Sequence, residues 1–326
     1  MTHSHRSRLE TCLSGSQPDR TPVALWRHFP VDDQTSAGLA SATIDFQRTY
    51  DFDLVKVTPA SSFCLKDWGV EDEWRGAAEG TRSYTRRVIS QPEDWTRLPV
   101  LSPFVGSLGN QLECLRLIVN EVGSHVPVIA TVFNPLSQAK NLIGKDTLQV
   151  HLRRYPDAVH AGLRILVETT RRFVEAILET GIAGVFFAVQ HAQYGLISEA
   201  EYDIFGRPYD LQVLEPARGL WLNMLHLHGE EVMFQRFLDY PLWVINWHDR
   251  DTCPSLSQAQ ALFPGTVCGG LQRERTMVLG TPESVMAEAL DAIHATEGKR
   301  FILGTGCVLP IIAPRANIWA VRQAVG

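Results

Sequence analysis

The sequence predicts one α/β domain: a single (β/α)8 barrel, or TIM barrel, with an N-terminal lead-in and an insertion at its rim. The chain has 326 residues, of which 45% are apolar and 20% charged, so it can bury one large core of the size that such barrels have. Short runs rich in Val, Ile, Leu and Phe alternate with amphipathic segments, which indicates parallel strands buried on both faces and covered by helices. No glycine-rich phosphate-binding turn follows the first run, which argues against an open dinucleotide-binding sheet.

Eight apolar runs are predicted to be the barrel strands. They are residues 23–29, 54–58, 126–133, 184–189, 222–228, 243–248, 266–271 and 301–307. The amphipathic segments predict helices over residues 34–50, 110–122, 157–180, 282–296 and 315–325. Thr281 followed by Pro282 predicts a helix start, and Gly181 predicts a helix end.

Two segments fit neither pattern. Residues 1–20 are predicted to be a flexible lead-in, so the barrel domain spans residues 21–326. Residues 66–103 carry several aromatic residues among charged ones. They are predicted to form a lid or an insertion at the rim of the barrel.

Charge and composition limit the classes of partner. The net charge is −6 and the basic residues are scattered, which argues against nucleic acid and against a membrane surface. The first residues lack the apolar core of a secretory signal, and no apolar run has the length of a membrane span, so we expect a cytoplasmic protein. Six widely spaced cysteines without a C-x-x-C pair predict reduced thiols. The expected partner is a small-molecule substrate, and a homodimer is one expectation for the assembly.

Polar residues follow most of the predicted strands, where barrel enzymes carry their catalytic groups. In chain order they are Arg27, His28, Lys56, Thr58, Asn134, Gln190, His191, His226, His228, Asn246, His248, Asp249 and Cys307. Any one histidine could be satisfied in the core or on the rim. The whole set is harder to explain by packing, because such groups are costly to bury unpaired.

Three of these residues predict a metal site. His226 and His228 alternate along one strand, so both side chains can face the mouth of the barrel. Cys307 ends the last strand and can complete the set. Two imidazoles and one thiolate with an open fourth position are typical of a catalytic zinc site.

The other polar residues are candidates for catalysis or for substrate binding. His191, His248 and Asp249 are predicted to be catalytic, with His191 as a general acid or base or, alternatively, bonded to a loop carbonyl. Asp249 or Asp251 could orient a ligating histidine, or could pair with Arg250 at the surface.

Substrate binding is predicted for six residues: Arg27, His28, Lys56, Asn134, Gln190 and Trp247. Arg27 could hold a carboxylate, for which a guanidinium is suited, or form a salt bridge at the rim. Trp247 offers an aromatic wall.

Several stretches of the sequence, spread over nearly the whole chain, resemble a known family, the uroporphyrinogen decarboxylase superfamily. This superfamily includes that decarboxylase and zinc-dependent corrinoid methyltransferases, and this chain resembles a divergent member. The matching stretches are residues 21–27, 126–128, 134–139, 196–199, 201–202, 225–229, 306–307 and 314–317.

The resemblance to the decarboxylase branch is incomplete. That branch has two arginines in an R-Q-A-G-R run, whereas this chain has Arg27-His28-Phe29-Pro30 and keeps the first arginine alone. The catalytic aspartate, tyrosine and histidine of that branch would fall near Ala60, Asn141 and Gly306. None of the three is present, so decarboxylation of a uroporphyrinogen is not expected.

The methyltransferase branch carries H-x-C and a second, distant G-C, which bind zinc that activates a thiol. His226 and Cys307 match, and His228 replaces the middle cysteine. An imidazole in place of a thiolate keeps a zinc ligand and removes a negative charge, which makes the metal a stronger Lewis acid. The resemblance implies zinc, and a corrinoid carried by a separate protein.

We therefore expect a metal-dependent methyltransferase or demethylase. One alternative is a decarboxylase or other lyase acting on a small carboxylate, with Arg27 as anchor and His191 or His248 moving protons. Another is a non-catalytic barrel that binds a tetrapyrrole.

Overall fold

The computed structural model of the protein describes residues 3–326. Its strands are β1 (Val55–Val57), β2 (Glu71–Glu73), β3 (Ser83–Arg86), β4 (Val128–Phe133), β5 (Gly184–Val189), β6 (Met224–Leu227), β7 (Val244–Trp247), β8 (Thr266–Leu271) and β9 (Phe301–Thr305). Its α-helices are α1 (His5–Leu13), α2 (Ser36–Tyr50), α3 (Gly106–Val122), α4 (Pro135–Ile143), α5 (Lys145–Arg154), α6 (Pro156–Leu178), α7 (Glu199–Phe205), α8 (Arg207–Leu214), α9 (Leu256–Leu262), α10 (Pro282–Ala295) and α11 (Arg315–Gln323).

Seven parallel strands form one curled sheet in the order β1-β4-β5-β6-β7-β8-β9. Every residue of these strands is buried, as expected for parallel strands covered by helices. Neighbouring strands are parallel, so their carboxyl ends meet at the same edge. The register of β6 and β7 places His226 beside Asn246.

The prediction of a first strand over residues 23–29 is wrong. Val23 forms one isolated parallel bridge with Leu303, and the segment does not continue as a ladder. Its backbone groups are taken by other partners: the Val23 N–H donates to the Asp53 carboxylate at 2.8 Å. The Trp26 carbonyl accepts from Leu309 N–H at 2.8 Å. The sheet therefore has seven strands. Residues 22–24 also exchange two hydrogen bonds with Leu303 of β9, from Ala24 N–H at 2.9 Å and to the Pro22 carbonyl at 2.8 Å, but a closed barrel of eight strands is not confirmed.

The other seven predicted strands are present, most of them shorter than predicted. Residues 184–189 and 266–271 have the predicted bounds, and the rest lose one or two residues at one or both ends. His228, His248 and Cys307 lie just beyond the ends of β6, β7 and β9. These polar side chains therefore sit where the chain leaves the sheet.

The lead-in predicted to be flexible contains a packed helix. Residues 1 and 2 lie outside the described part of the chain, but α1 buries Leu9 and Cys12 completely. Arg8 of this helix donates to the buried Asp53 carboxylate at 2.7 Å. An apolar face and a buried ion pair hold α1 against the domain, and both depend on residues distant in sequence.

All five predicted helices are present, with bounds that differ by a few residues. Thr281 caps α10, because its hydroxyl accepts from Ser284 N–H at 3.3 Å. Among residues 3–326, no helix combines the length and the apolar character that a membrane crossing requires.

Residues 66–103 carry the antiparallel pair β2 and β3. This segment is attached firmly at its far end, where Trp95 is fully buried and its Nε1–H donates to His151 Nδ1 at 3.0 Å. The middle of the segment reaches the cavity described below.

Candidate metal centre and cavity

Four side chains from the ends of three strands converge on one point. His226 lies in β6, His228 and His248 come directly after β6 and β7, and Cys307 lies in the loop after β9. One ligand atom from each lies within 4.8 Å of the others. The sequence grouped His226, His228 and Cys307, and the structure brings these three together. It adds His248, which was predicted as a catalytic residue outside the metal set.

The distances within the cluster suit a tetrahedral metal ion. The Cys307 Sγ atom lies 3.6 Å from His226 Nε2 and 3.5 Å from His228 Nδ1. Nitrogen and sulfur ligands of a tetrahedral zinc are separated by about 3.5 Å, given bond lengths of about 2.0–2.1 and 2.3 Å. The Nε2 atom of His248 is buried without a hydrogen-bond partner. The donor set therefore fits zinc, which favours nitrogen and sulfur ligands.

Asn246 fixes the orientation of His226. Its amide nitrogen donates to the carbonyls of Cys268 at 2.9 Å and Thr305 at 3.1 Å, so its oxygen must face the other way. That oxygen accepts from His226 Nδ1–H at 2.7 Å. The proton therefore lies on Nδ1, and the lone pair of Nε2 points towards Cys307.

Burial keeps the three imidazoles neutral. It lowers the pKa of His226 well below its ordinary value, and the neighbouring His228 and His248 lower it further. Burial likewise lowers the pKa of His228 to about 3 and that of His248 to about 4. Neutral imidazole is the form that binds a metal. Burial also raises the pKa of the Cys307 thiol, an effect that the Arg273 cation partly opposes.

A cavity of about 210 Å³ opens beside this cluster. His226, His228 and Cys307 form part of its wall, together with the amines of Lys56 and Lys140. Its aromatic lining comprises Trp26, Tyr84, Phe133 and Phe186. The ring of Phe186 stacks on His226, with centroids 5.2 Å apart.

Three of the predicted substrate-binding residues line this cavity: His28, Lys56 and Gln190. His28 is buried and its Nδ1 atom has no hydrogen-bond partner. The Lys56 ammonium lies 4.4 Å from the centroid of the Phe186 ring. Gln190 accepts from Lys140 through its side-chain oxygen at 3.0 Å.

The other three predicted substrate-binding residues, Arg27, Asn134 and Trp247, do not line this cavity. Arg27 packs over the rings of Phe29 and Phe46 on another surface, in a separate pocket. Asn134 caps α4 by accepting from Ser137 N–H at 3.0 Å. Trp247 is fully buried.

The structure gives His191 and Asp249 no place in the cavity lining. Burial lowers the pKa of His191 to about 3, and both of its ring nitrogens lack partners. The Asp249 carboxylate accepts from Gly270 N–H at 3.0 Å, and burial raises its pKa to about 7. Asp251, the alternative for orienting a histidine, has an oxygen 4.0 Å from His248 Nδ1.

Sequence reasoning missed several lining residues. Glu79, from the segment of residues 66–103, lines the cavity and forms an ion pair with Arg273. Tyr84 and Lys140 also line it. Lys140 lies inside helix α4, seven residues after the end of β4, so a search of strand ends does not find it. The role of Asn246 is visible in the register of β6 and β7, once that register is known.

The family profile "Uroporphyrinogen decarboxylase (URO-D)" matches residues 4–326. The methylcobamide:CoM methyltransferase MtbA of Methanosarcina mazei is 24% identical over 238 residues, which cover 72% of this chain and 68% of that protein. A uroporphyrinogen decarboxylase of Synechococcus sp. (strain CC9605) is 22% identical over 213 residues, covering 63% of this chain and 57% of that protein.

Solved structures show the same fold. A methyltransferase from Methanosarcina mazei superposes with a TM-score of 0.86 at 17% identity, covering 98% of each chain. A B12-independent methionine synthase from Shewanella sp. W3-18-1 superposes with a TM-score of 0.59 at 12% identity, covering 94% of this chain and 91% of that chain. The relatives named here include both methyltransferases and a decarboxylase.

Proposed function

The chain belongs to the uroporphyrinogen decarboxylase (URO-D) family, and we propose that within this family it is a metal-dependent methyltransferase or demethylase. The observation that carries the proposal is the convergence of His226, His228, His248 and Cys307 beside a cavity. Similarity to a methylcobamide:CoM methyltransferase supports the same branch.

His226, His228 and Cys307 would hold zinc, and a thiol or water would take the fourth position, which His248 could occupy in its absence. Bound zinc would lower the pKa of a coordinated thiol or water and so supply an anionic nucleophile near neutral pH. The chain itself contributes the orientation of the ligands, through Asn246, and a wall of aromatic side chains that limits the access of water.

The methyl group would be exchanged with a corrinoid carried by a separate protein. The name of the relative MtbA specifies a methylcobamide as one of its reactants. The cavity of about 210 Å³ is below the range of about 300–1,000 Å³ typical for drug-sized ligands. A corrinoid would therefore approach from outside, and the cavity would hold the smaller reactant.

The position of Arg27 counts against decarboxylation. The family resemblance made Arg27 the remaining anchor for a substrate carboxylate, yet its guanidinium packs against Phe29 and Phe46, away from the metal centre.

Metal analysis of the purified protein tests the proposal. We expect close to one zinc per wild-type chain after reducing, chelator-free purification, and its loss in His228→Ala and Cys307→Ser. Cys253→Ser is the matched control, because Cys253 is exposed and does not belong to the cluster. The zinc-loaded protein should also demethylate free methylcobalamin in the presence of a thiol, followed by the change in cobalamin absorbance. A metal-free wild-type protein would contradict the proposal.

A further inference from the structure

The cavity carries positive charge that the metal centre does not explain. Lys56 is buried, with 7% of its surface exposed, and its ammonium donates to the Thr58 hydroxyl at 3.3 Å. The Lys140 ammonium donates to the amide oxygen of Gln190. The Thr58 hydroxyl and the Gln190 amide are neutral, so neither hydrogen bond compensates the positive charge of its lysine.

The cavity wall has little negative charge to balance the two lysines. Among the described residues that line it, the one carboxylate is Glu79. Glu79 is already paired with Arg273. The two amines therefore face a cavity whose own acidic group is occupied.

Burial without a counter-charge disfavours the ammonium form of both lysines. It lowers the pKa of Lys56 to about 7 and, with help from Arg87 and Lys145, that of Lys140 to about 8. An anion bound in the cavity relieves this cost, because opposite charge favours the charged form. His28 Nδ1, a buried polar atom without a partner in the same wall, offers a further polar contact.

The aromatic side chains that line the cavity indicate the shape of its ligand. Trp26, Tyr84, Phe133 and Phe186 line the cavity, and flat aromatic surfaces pack well against flat unsaturated groups. Phe186 contacts both ends of the site: its ring centroid lies 4.4 Å from the Lys56 ammonium and 5.2 Å from the His226 ring. The Phe186 ring therefore lies beside both the Lys56 ammonium and a member of the cluster.

We propose that the substrate of this site is a small organic anion with a flat unsaturated body, whose carboxylate or sulfonate binds at Lys56 and Lys140. The other end of this molecule lies beside His226, His228 and Cys307. That second statement rests on the proposed function, whereas the anion site depends on the lysines alone.

Binding of matched probes tests the anion site. Benzoate, benzenesulfonate and the neutral benzamide are titrated by calorimetry into zinc-loaded wild-type protein and into Cys307→Ser. We expect the anions to bind roughly ten- to a hundred-fold more tightly than benzamide, as for charge-assisted hydrogen bonds. Comparison of benzoate with benzenesulfonate tells which anionic group the site prefers.

Lys56→Met and Lys140→Met should each remove most of this preference, because methionine keeps the length and apolar stem without the charge. Lys299→Met is the control, since Lys299 is exposed and does not line the cavity. Circular dichroism establishes that each variant is folded. Equal affinity for benzoate and benzamide, undiminished benzoate binding in both cavity variants, or no detectable binding of either anion would overturn the proposal. Charge-dependent binding that persists in Cys307→Ser supports the anion site even if zinc analysis refutes the metal centre.

Discussion

Asn246 decides which nitrogen of His226 faces the cluster. Two backbone carbonyls hold its amide nitrogen, so its oxygen can accept from His226 Nδ1–H and leaves Nε2 free. The proposed metal ligand is thus oriented by a residue on the neighbouring strand. A search for metal-binding residue types passes over it, because an asparagine inside a strand carries no such signal.

We predict that Asn246→Ala weakens zinc binding roughly 10–100-fold, as is typical when the partner of a ligating histidine is removed. Without that acceptor, His226 is free to rotate and to change tautomer. Competition with a chromophoric zinc chelator measures the change. Asn110→Ala is the control, since Asn110 is exposed on α3. Unchanged zinc affinity in a folded Asn246→Ala protein would show that Asn246 has no positioning role.

The residue types at the strand ends were sufficient to group His226, His228 and Cys307, but they did not separate the remaining polar residues. Arg27 and Asn134 occupy equivalent positions in the sequence pattern, yet one packs over aromatic rings and the other caps a helix. The direction of a side chain beyond a strand end depends on the loop that follows, and sequence periodicity does not describe loops.

At the scale of elements, helix α1 is held to the domain by a buried carboxylate. Asp53 accepts from Arg8 and from Arg20, each at 2.7 Å, and from the backbone of Val23. The same residue therefore fastens α1 and the segment that the sequence predicted as the first strand. Surrounding cations and donors lower the pKa of Asp53 against the effect of burial.

We predict that Asp53→Asn destabilises the protein by about 3–5 kcal/mol, because two arginines then lose their buried counter-charge. Urea unfolding followed by tryptophan fluorescence measures the free energy of unfolding. Asp239→Asn serves as the control, because its carboxylate pairs with Arg207 and is mostly exposed. A cost below about 1 kcal/mol, the usual value of a surface pair, would show that α1 is held by apolar contacts instead.

For the whole molecule, one buried carboxyl group ties several elements together. Asp210 of α8 accepts from Asn134 at 2.9 Å and from the Tyr240 hydroxyl at 3.0 Å, and it also accepts from Tyr202 of α7. Burial raises its pKa from 3.8 to about 6, although these hydrogen bonds oppose the shift. The folded protein therefore retains a proton that the unfolded chain releases near pH 4.

This linkage predicts a pH dependence of global stability. A carboxyl group with a raised pKa stabilises the fold most at low pH, and that contribution declines as the pH rises from about 4 to about 6. Asp210→Asn can keep all three hydrogen bonds if its amide nitrogen faces the tyrosines. We expect this variant to lose the decline of about 1–3 kcal/mol in the free energy of unfolding that Asp210 causes as the pH rises. The free energies of unfolding of wild type and variant are measured at pH 4.5 and at pH 7, and the difference between the two proteins is compared at the two pH values. A pH-independent difference would mean that Asp210 stays ionised throughout.

The sequence by itself determined the parallel α/β class, seven of the strands, five of the helices and the grouping of His226, His228 and Cys307. These follow from local periodicity and from the rule that parallel strands present their carboxyl ends at one edge. Tertiary structure alone decided that residues 23–29 form no strand, that α1 packs on the domain, and that His248, Asn246 and Lys140 face the site. Each of these depends on partners far along the chain, such as Asp53 for Val23 and Cys307 for His248, and no local pattern encodes such distant pairings.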